Sequence, residues 1–273
     1  MDPRVFRRVQ RYGWDAAATA YDRGWVPLLE WLTESCVERA EPRAGERVLD
    51  LATGTGIGAF AAARAVGSSG AVTGIDVSEK MVALASLRAS NDGVHNVAFQ
   101  RHDMEETGAA DGRFDAVTCA FGLMFAAERA AAFAEMARVT APGGRVSICV
   151  WGRRAACGFA EVFPIVDAHV ASEVCPLFFS LGVPGAPTAY LQRAGFRDVL
   201  EESVPVTLSW ESADEACMAM LEGGAVALAW NRFSPETRAV VRAAYLASLE
   251  PFRRGDRYDV SAEVMFATAR KPD

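Results

Sequence analysis

The run Val48-Leu49-Asp50-Leu51-Ala52-Thr53-Gly54-Thr55-Gly56-Ile57-Gly58 constrains this chain more than any other segment. A short apolar strand leads straight into a glycine turn, and an alanine-rich helical stretch follows to Val66. Glycines at such a turn let the backbone pass close beneath a ligand and leave helix N-terminal N–H groups free. The spacing is Gly-x-Gly-x-Gly followed by alanine, unlike the Gly-x-Gly-x-x-Gly of dinucleotide binders. Asp50 ends the strand four residues before Gly54, where it would repel a pyrophosphate. It would attract a cationic ligand with a free amino group, or orient the turn by accepting its N–H groups. The plain alternative is a glycine turn with a capping aspartate and no ligand.

Strand and helix alternate from here on. Ala71–Asp76 reads as a second strand, followed by a helix from Glu79 to about Ala89 with Ser78 as its cap. Val97–Gln100 is a third strand and Phe114–Ala120 a fourth; a helix follows from about Glu128 to Val139. Pro142-Gly143-Gly144 turns into a fifth strand, Arg145–Val150. Near-continuous apolar strands separated by helices imply a parallel sheet covered on both faces. Ligands of such sheets sit at the carboxyl ends of the strands, near the point where strand order reverses.

With 273 residues the chain has room for one large domain or two small ones. The pattern predicts one domain over 1–273. Residues 1–42 form a helical cap, in which Trp25, Leu28, Leu29, Leu32, Cys36 and Val37 recur at helical spacing after the aromatics Tyr12, Trp14 and Tyr21. Beyond Trp151 the alternation loosens. Residues 158–172 look helical, Pro176, Pro184 and Pro187 break the chain, and Tyr190–Phe196 is a short helix ended by glycine. A sixth strand is expected over Val204–Trp210 and a seventh over Val260–Ala269, with helical segments around 212–222 and 235–249 between them. The surplus length falls into two lid-like insertions, 153–187 and 211–256.

Three more strand ends carry chemistry. Asp76 ends the second strand twenty residues after Gly56, where a carboxylate can accept both hydroxyls of an adenosine ribose. As plain structure it neighbours a helix cap. After the third strand, Asp103 can accept an adenine amine while Met104 packs on the ring; taken singly, this acidic loop reads as solvated surface. After the fourth, Phe121 to Phe125 are apolar where a loop would close over a ligand, though core packing explains them equally well.

Composition narrows the partners. A formal charge of −7 sets nucleic acid at a disadvantage, and 51% apolar residues exclude global disorder. No apolar run reaches the roughly 18 residues of a membrane span, and the N-terminus has no apolar signal region. The six cysteines are scattered, with no metal-ligand spacing, and read as reduced thiols of a cytoplasmic protein.

Together these segments resemble a class I S-adenosylmethionine-dependent methyltransferase, closest in style to the ubiquinone/menaquinone-biosynthesis type, over about Tyr12 to Trp151. Asp50–Gly56 resembles the family's first motif and Asp76–Met81 its second; Asp103-Met104 fits the adenine site. Arg138–Gly144 resembles the turn into the fifth strand. Trp14-Asp15 and Tyr21-Asp22 resemble the aromatic-plus-acid segment that closes over the cofactor. The resemblance implies a doubly wound, seven-stranded, mostly parallel sheet whose last strand inserts antiparallel beside the fifth. It also implies S-adenosylmethionine as cofactor, held by Tyr21, Asp50, Ala52, Gly54, Thr55, Gly56, Asp76, Val77, Met81, Asp103, Met104 and Phe121. Quinone methyltransferases continue after Tyr-Asp with an Asn and a Ser-x-Gly stretch. Arg23–Pro27 departs from that pattern, which puts a quinone acceptor in doubt.

The expected activity is methyl transfer to carbon, oxygen or nitrogen of a hydrophobic small molecule, in biosynthetic or secondary metabolism. A non-methylating enzyme of the same fold, such as a cyclase, is the alternative. An NAD-dependent oxidoreductase is disfavoured by the glycine spacing and Asp50, and a non-catalytic partner subunit by the intact motifs. If a general base is needed, His169 in the insertion after the fifth strand is the candidate among three histidines, with a helix-surface histidine as the plain reading. Tyr12, Trp14, Phe125, Trp151 and Phe178 are candidate linings for the acceptor. The oligomeric state is open, a homodimer included.

Overall fold

Two helices precede the sheet in the computed structural model, which describes residues 2–171, 175 and 177–273. The first, α1 (Pro3–Gly24), starts where the Asp2 side chain accepts the Arg4 N–H at 2.8 Å and Pro3 fills the first turn. The second, α2 (Val26–Arg39), buries Leu29, Leu32, Cys36 and Val37 on one face.

Five parallel strands follow: β1 (Arg47–Leu51), β2 (Ala71–Asp76), β3 (Val97–Arg101), β4 (Phe114–Ala120) and β5 (Thr140–Trp151). Helices α3 (Ile57–Val66), α4 (Glu79–Asn91) and α5 (Arg129–Val139) link them. The expected turn at Pro142–Gly144 is a register break inside β5, where Phe114 pairs with Thr140 but Ala116 with Arg145. Then come α6 (Val162–Asp167), α7 (Ala186–Arg193) and β6 (Arg197–Trp210). After β6 come α8 (Ala213–Cys217), a π-helical turn over Met218–Glu222, α9 (Ala227–Trp230) and α10 (Pro235–Leu249). The two-residue β7 (Arg253–Arg254) and the long β8 (Arg257–Arg270) end the chain's described elements.

The strand order is β3-β2-β1-β4-β5-β8-β6, with β8 antiparallel to both neighbours and β7 paired on β8. This is the class I methyltransferase arrangement, a mostly parallel sheet with an antiparallel last strand, and β7 brings the count to eight. Order reverses between β1 and β4, so the carboxyl ends of those two strands open the crevice in which ligands of such sheets bind.

Three of the expected elements differ. The helix read over 158–172 is a 3-10 turn over Gly158–Glu161 followed by the single short α6, and the last of those residues lies outside the described ones. Pro187 begins α7 instead of breaking the chain, and Gly195, at φ +97°, ends it by letting the Phe196 N–H reach back to the Leu191 carbonyl at 3.0 Å. Strands β6 and β8 run several residues past their apolar cores. The extension of β6 over 197–203 is largely solvent-facing and charged, so hydrophobicity did not mark it. No helix among the described residues is long and apolar enough to cross a membrane.

Candidate active site

The glycine turn is held from below. Asp50 is buried beside Gly74 of β2 and Thr118 of β4, its register partners. Its oxygens accept the Thr53 hydroxyl at 2.6 Å and the Thr118 hydroxyl at 2.8 Å, and it also takes the Ala59 N–H in the first turn of α3. Burial nevertheless raises its pKa to about 6. Asp50 braces the turn through the Thr53 hydroxyl and holds the first turn of α3 through the Ala59 N–H, without accepting an N–H group of the turn itself. Gly56 adopts φ +97°, and a Cβ there would meet Phe60 at 2.7 Å and Phe99 at 3.1 Å, so only glycine fits.

Three of the turn's N–H groups have partners within the protein. Thr53 donates to the Ile75 carbonyl, Gly54 to Asp76 Oδ2 and Gly56 to the Thr53 carbonyl, each at 2.9 Å. With those donors satisfied internally and the Asp50 carboxylate at the first turn of α3, the turn is less suited to a pyrophosphate. Of the first N–H groups of α3, that of Ala59 goes to Asp50.

Above the turn lies a cavity of about 1090 Å³, including its open mouth. One end is polar. Asp76 lines it while accepting N–H groups from Gly54 and Ser78, both at 2.9 Å; burial, with Asp50 nearby, raises its pKa to about 6. Asp103, Met104, His102 and Glu105 line the same end from the loop after β3, with Val77 and Met81 from the start of α4. Burial also raises the Asp103 pKa. Tyr21 of α1 covers the glycine turn, and burial lifts its hydroxyl pKa well above the ordinary value.

The other end is aromatic. Trp14, Trp25, Phe121, Phe125, Trp151, Phe159, Phe163 and Phe178 line it in a chain of ring contacts: Trp14–Phe125 at 4.9 Å, Phe121–Trp151 at 4.8 Å, Trp151–Phe159 at 4.9 Å and Phe163–Phe178 at 4.6 Å. Two left-handed backbones bring the strand ends here, Ala52 after β1 (φ +53°) and Phe121 after β4 (φ +56°). Gly122 sits against them so tightly that a Cβ would lie 2.4 Å from that of Ala52. Such strain in non-glycine residues is characteristic of ligand-clamping loops.

Of the residues singled out from sequence, Tyr21, Ala52, Gly54, Asp76, Val77, Met81, Asp103, Met104 and Phe121 line the cavity. Asp50, Thr55 and Gly56 lie beneath it; the Thr55 hydroxyl is buried without a hydrogen-bond partner. His169 is elsewhere. It follows α6 and lines a second cavity with Phe6, Val9, Leu228 and Phe233, its ring 6.0 Å from that of Phe233. Tyr12 is half exposed and outside the main cavity. Sequence reasoning missed Arg7, Gln10, Glu105 and Met220. The first three had no motif to mark them, and Met220 enters from the π turn.

Fold and site together suit a cationic, amine-bearing adenosine ligand: the carboxylates Asp76, Asp103 and Glu105 line one end of the cavity, with Arg7 paired to Glu105. Residues 48–144 match the family described as a methyltransferase domain. Nocamycin O-methyltransferase of Saccharothrix syringae is 29% identical over 94% of this chain and 96% of its own. A ubiquinone/menaquinone biosynthesis C-methyltransferase of Bdellovibrio bacteriovorus is 32% identical over 74% of this chain and 87% of its own. Among solved structures, the cyclase SpnF is similar at 26% identity and a TM-score of 0.61, over 91% of this chain and 83% of its own. The chain belongs to the S-adenosylmethionine-dependent methyltransferases.

Proposed function

We propose that this enzyme methylates a hydrophobic, ring-bearing small molecule of natural-product biosynthesis. The observation that carries this reading is the single cavity with an acidic end and an aromatic end, which would set cofactor and acceptor side by side. The near full-length likeness to an O-methyltransferase favours oxygen as the attacked atom.

S-adenosylmethionine, when bound, supplies a methyl group on an already activated sulfonium. The residues of the chain bind, orient and exclude water. Asp76 has the lone pairs to accept ribose hydroxyls while Gly54 and Ser78 keep it in place. Asp103 and Met104 serve the adenine; Val77 and Met81 form its apolar floor. Asp50 acts through the turn it braces, as a positioning residue. Tyr21, Trp14 and the insertions 153–187 and 211–256 act as lids that keep water out and hold the acceptor in line.

Methyl-labelled cofactor incubated with a panel of apolar aromatic and polyketide-like acceptors tests the proposal. Label should appear on at least one acceptor, and Asp76→Asn should weaken cofactor binding roughly 10- to 100-fold through the lost charge-assisted contacts. The likeness to SpnF keeps one second reading, a cyclisation in which the acceptor is consumed while all label stays on the cofactor.

A further inference from the structure

Helix α1 stands between two cavities. Arg7, Gln10, Trp14 and Tyr21 line the main one, while Phe6, Val9 and Gly13, together with Gln10 and Trp14 again, line the second. Both sets recur at helical spacing, so two neighbouring faces of the same helix serve the two cavities. Opposite α1, the pair Gly224-Ala225 also lines both. Where the cavities adjoin, the shared wall among the described residues is thus two side chains and a glycine-alanine pair. Gln10 donates its amide N–H to the Cys175 Sγ at 3.7 Å, and Trp14 rests edge-on against Tyr21 at 5.8 Å and Phe125 at 4.9 Å.

Gly13 is the residue that helix formation does not explain. It lies in the middle of α1, in ordinary helical backbone, where glycine is less stable than alanine. A Cβ there would meet that of Leu228 at 3.7 Å, an ordinary contact, so neither backbone nor crowding demands a glycine. The absent side chain leaves space in the second cavity, among Phe6, Val9, Leu228 and Phe233. All four are half-buried, so an apolar occupant would take further surface from water. His169 and Arg232 stand exposed at the rim.

We propose, resting on the methyltransferase reading above, that the acceptor occupies both cavities. Its ring sits at the aromatic end of the main cavity, and an apolar chain passes Gln10 and Trp14 into the second. The substrate class is then a ring carrying a linear apolar substituent, whose far end emerges near His169 and Arg232. Gly13 is the specificity-determining residue, because the space it leaves sets how much chain the enzyme accepts.

The test uses the full chain saturated with S-adenosylhomocysteine, titrated by calorimetry with 4-propylphenol and with 4-heptylphenol. Each methylene moved from water to an apolar site is worth roughly three- to fourfold in affinity, so the longer probe should bind about tenfold more tightly or better. Gly13→Leu should cut that advantage to below about threefold, and Leu228→Phe, which fills the same space from α9, should do likewise. Gly13→Ala improves the helix but adds one carbon, and should keep the advantage. All three variants should bind S-adenosylhomocysteine and 4-propylphenol as the parent does, within about twofold. No gain with chain length, a gain that survives both Gly13→Leu and Leu228→Phe, or one lost equally in Gly13→Ala would each overturn the proposal. Failure of the parent protein to bind S-adenosylhomocysteine would instead strike the reading on which it rests.

Discussion

Asp76 carries two opposed demands. Two backbone N–H groups hold it as an acceptor, yet burial and the neighbouring Asp50 raise its pKa to about 6. A ligand that needs the ionised form binds fully above that pKa and loses affinity as pH falls through it. S-adenosylmethionine binding should therefore be flat from pH 8 to about 7 and weaken several-fold by pH 5, as read by calorimetric titration. The same shift has the opposite sign for folding. A carboxyl whose folded pKa lies above its unfolded value binds protons more tightly when folded, so its ionisation costs stability as pH rises through about 4 to 6. At this scale the sequence was informative where one residue type at one strand end has one geometry open to it. Asp76, Asp103 and Phe121 reach the cavity because they lie at or just past the carboxyl ends of β2, β3 and β4, where the sheet opens. Asp50 was ambiguous because its partners, Thr53 and Thr118, come from two different strand ends. His169 was not legible at all, since its place depends on how the insertion packs on α1 and α9.

Helix α1 lies over the mouth with few buried side chains, chiefly Ala17 and Ala18 along its length. Polar contacts at its rim hold it. Arg7 pairs with Glu105, the Asp15 carboxylate takes the Ser78 hydroxyl at 2.7 Å and the Lys80 N–H at 3.2 Å, and Asp22 pairs with Arg88 at 2.9 Å. Partly exposed pairs of this kind contribute about 0–1 kcal/mol each, so α1 is the element whose attachment is easiest to tune. Arg7→Ala combined with Asp22→Ala should speed hydrogen exchange of α1 amides by roughly tenfold while leaving β1 and β4 protected. Added salt should do the same to the parent protein in smaller measure. The helix was readable from spacing, but its partners were not: Glu105 and Arg88 sit in a loop and a helix face whose sequence has no periodic mark. The π turn after α8 was hidden for a similar reason, because a π turn inserts one residue into a pattern that reads as ordinary helix.

Across the whole molecule, β8 is the strand on which the sheet's far half depends. Val264 pairs with Trp151 on one side and Val204 on the other, and it is fully buried. Val264→Pro would remove a ladder hydrogen bond from a central strand at a cost of about 3 kcal/mol or more, and thermal melting should show a loss of that order or no folded protein. The alternation of strand and helix up to Trp151 made the parallel half legible, because most strands there carry a buried apolar run bounded by turns and helices. The antiparallel half was legible only in its apolar middle. Its charged outer residues have partners far away in sequence: Glu201 accepts the Gly185 and Thr188 N–H groups at the start of α7, and Glu202 accepts from Arg39 of α2. The insertion of β8 between β5 and β6 also sets a schedule for the nascent chain. About 100 residues separate the end of β5 from the start of β8. At roughly 5–20 residues per second, the apolar outer edge of β5 stands unpaired for about 5–20 s of synthesis. During that interval the parallel half presents a ready docking edge to any extended chain nearby. Variants that delay translation between residues 151 and 257 therefore belong among those that reduce yield without touching the folded structure.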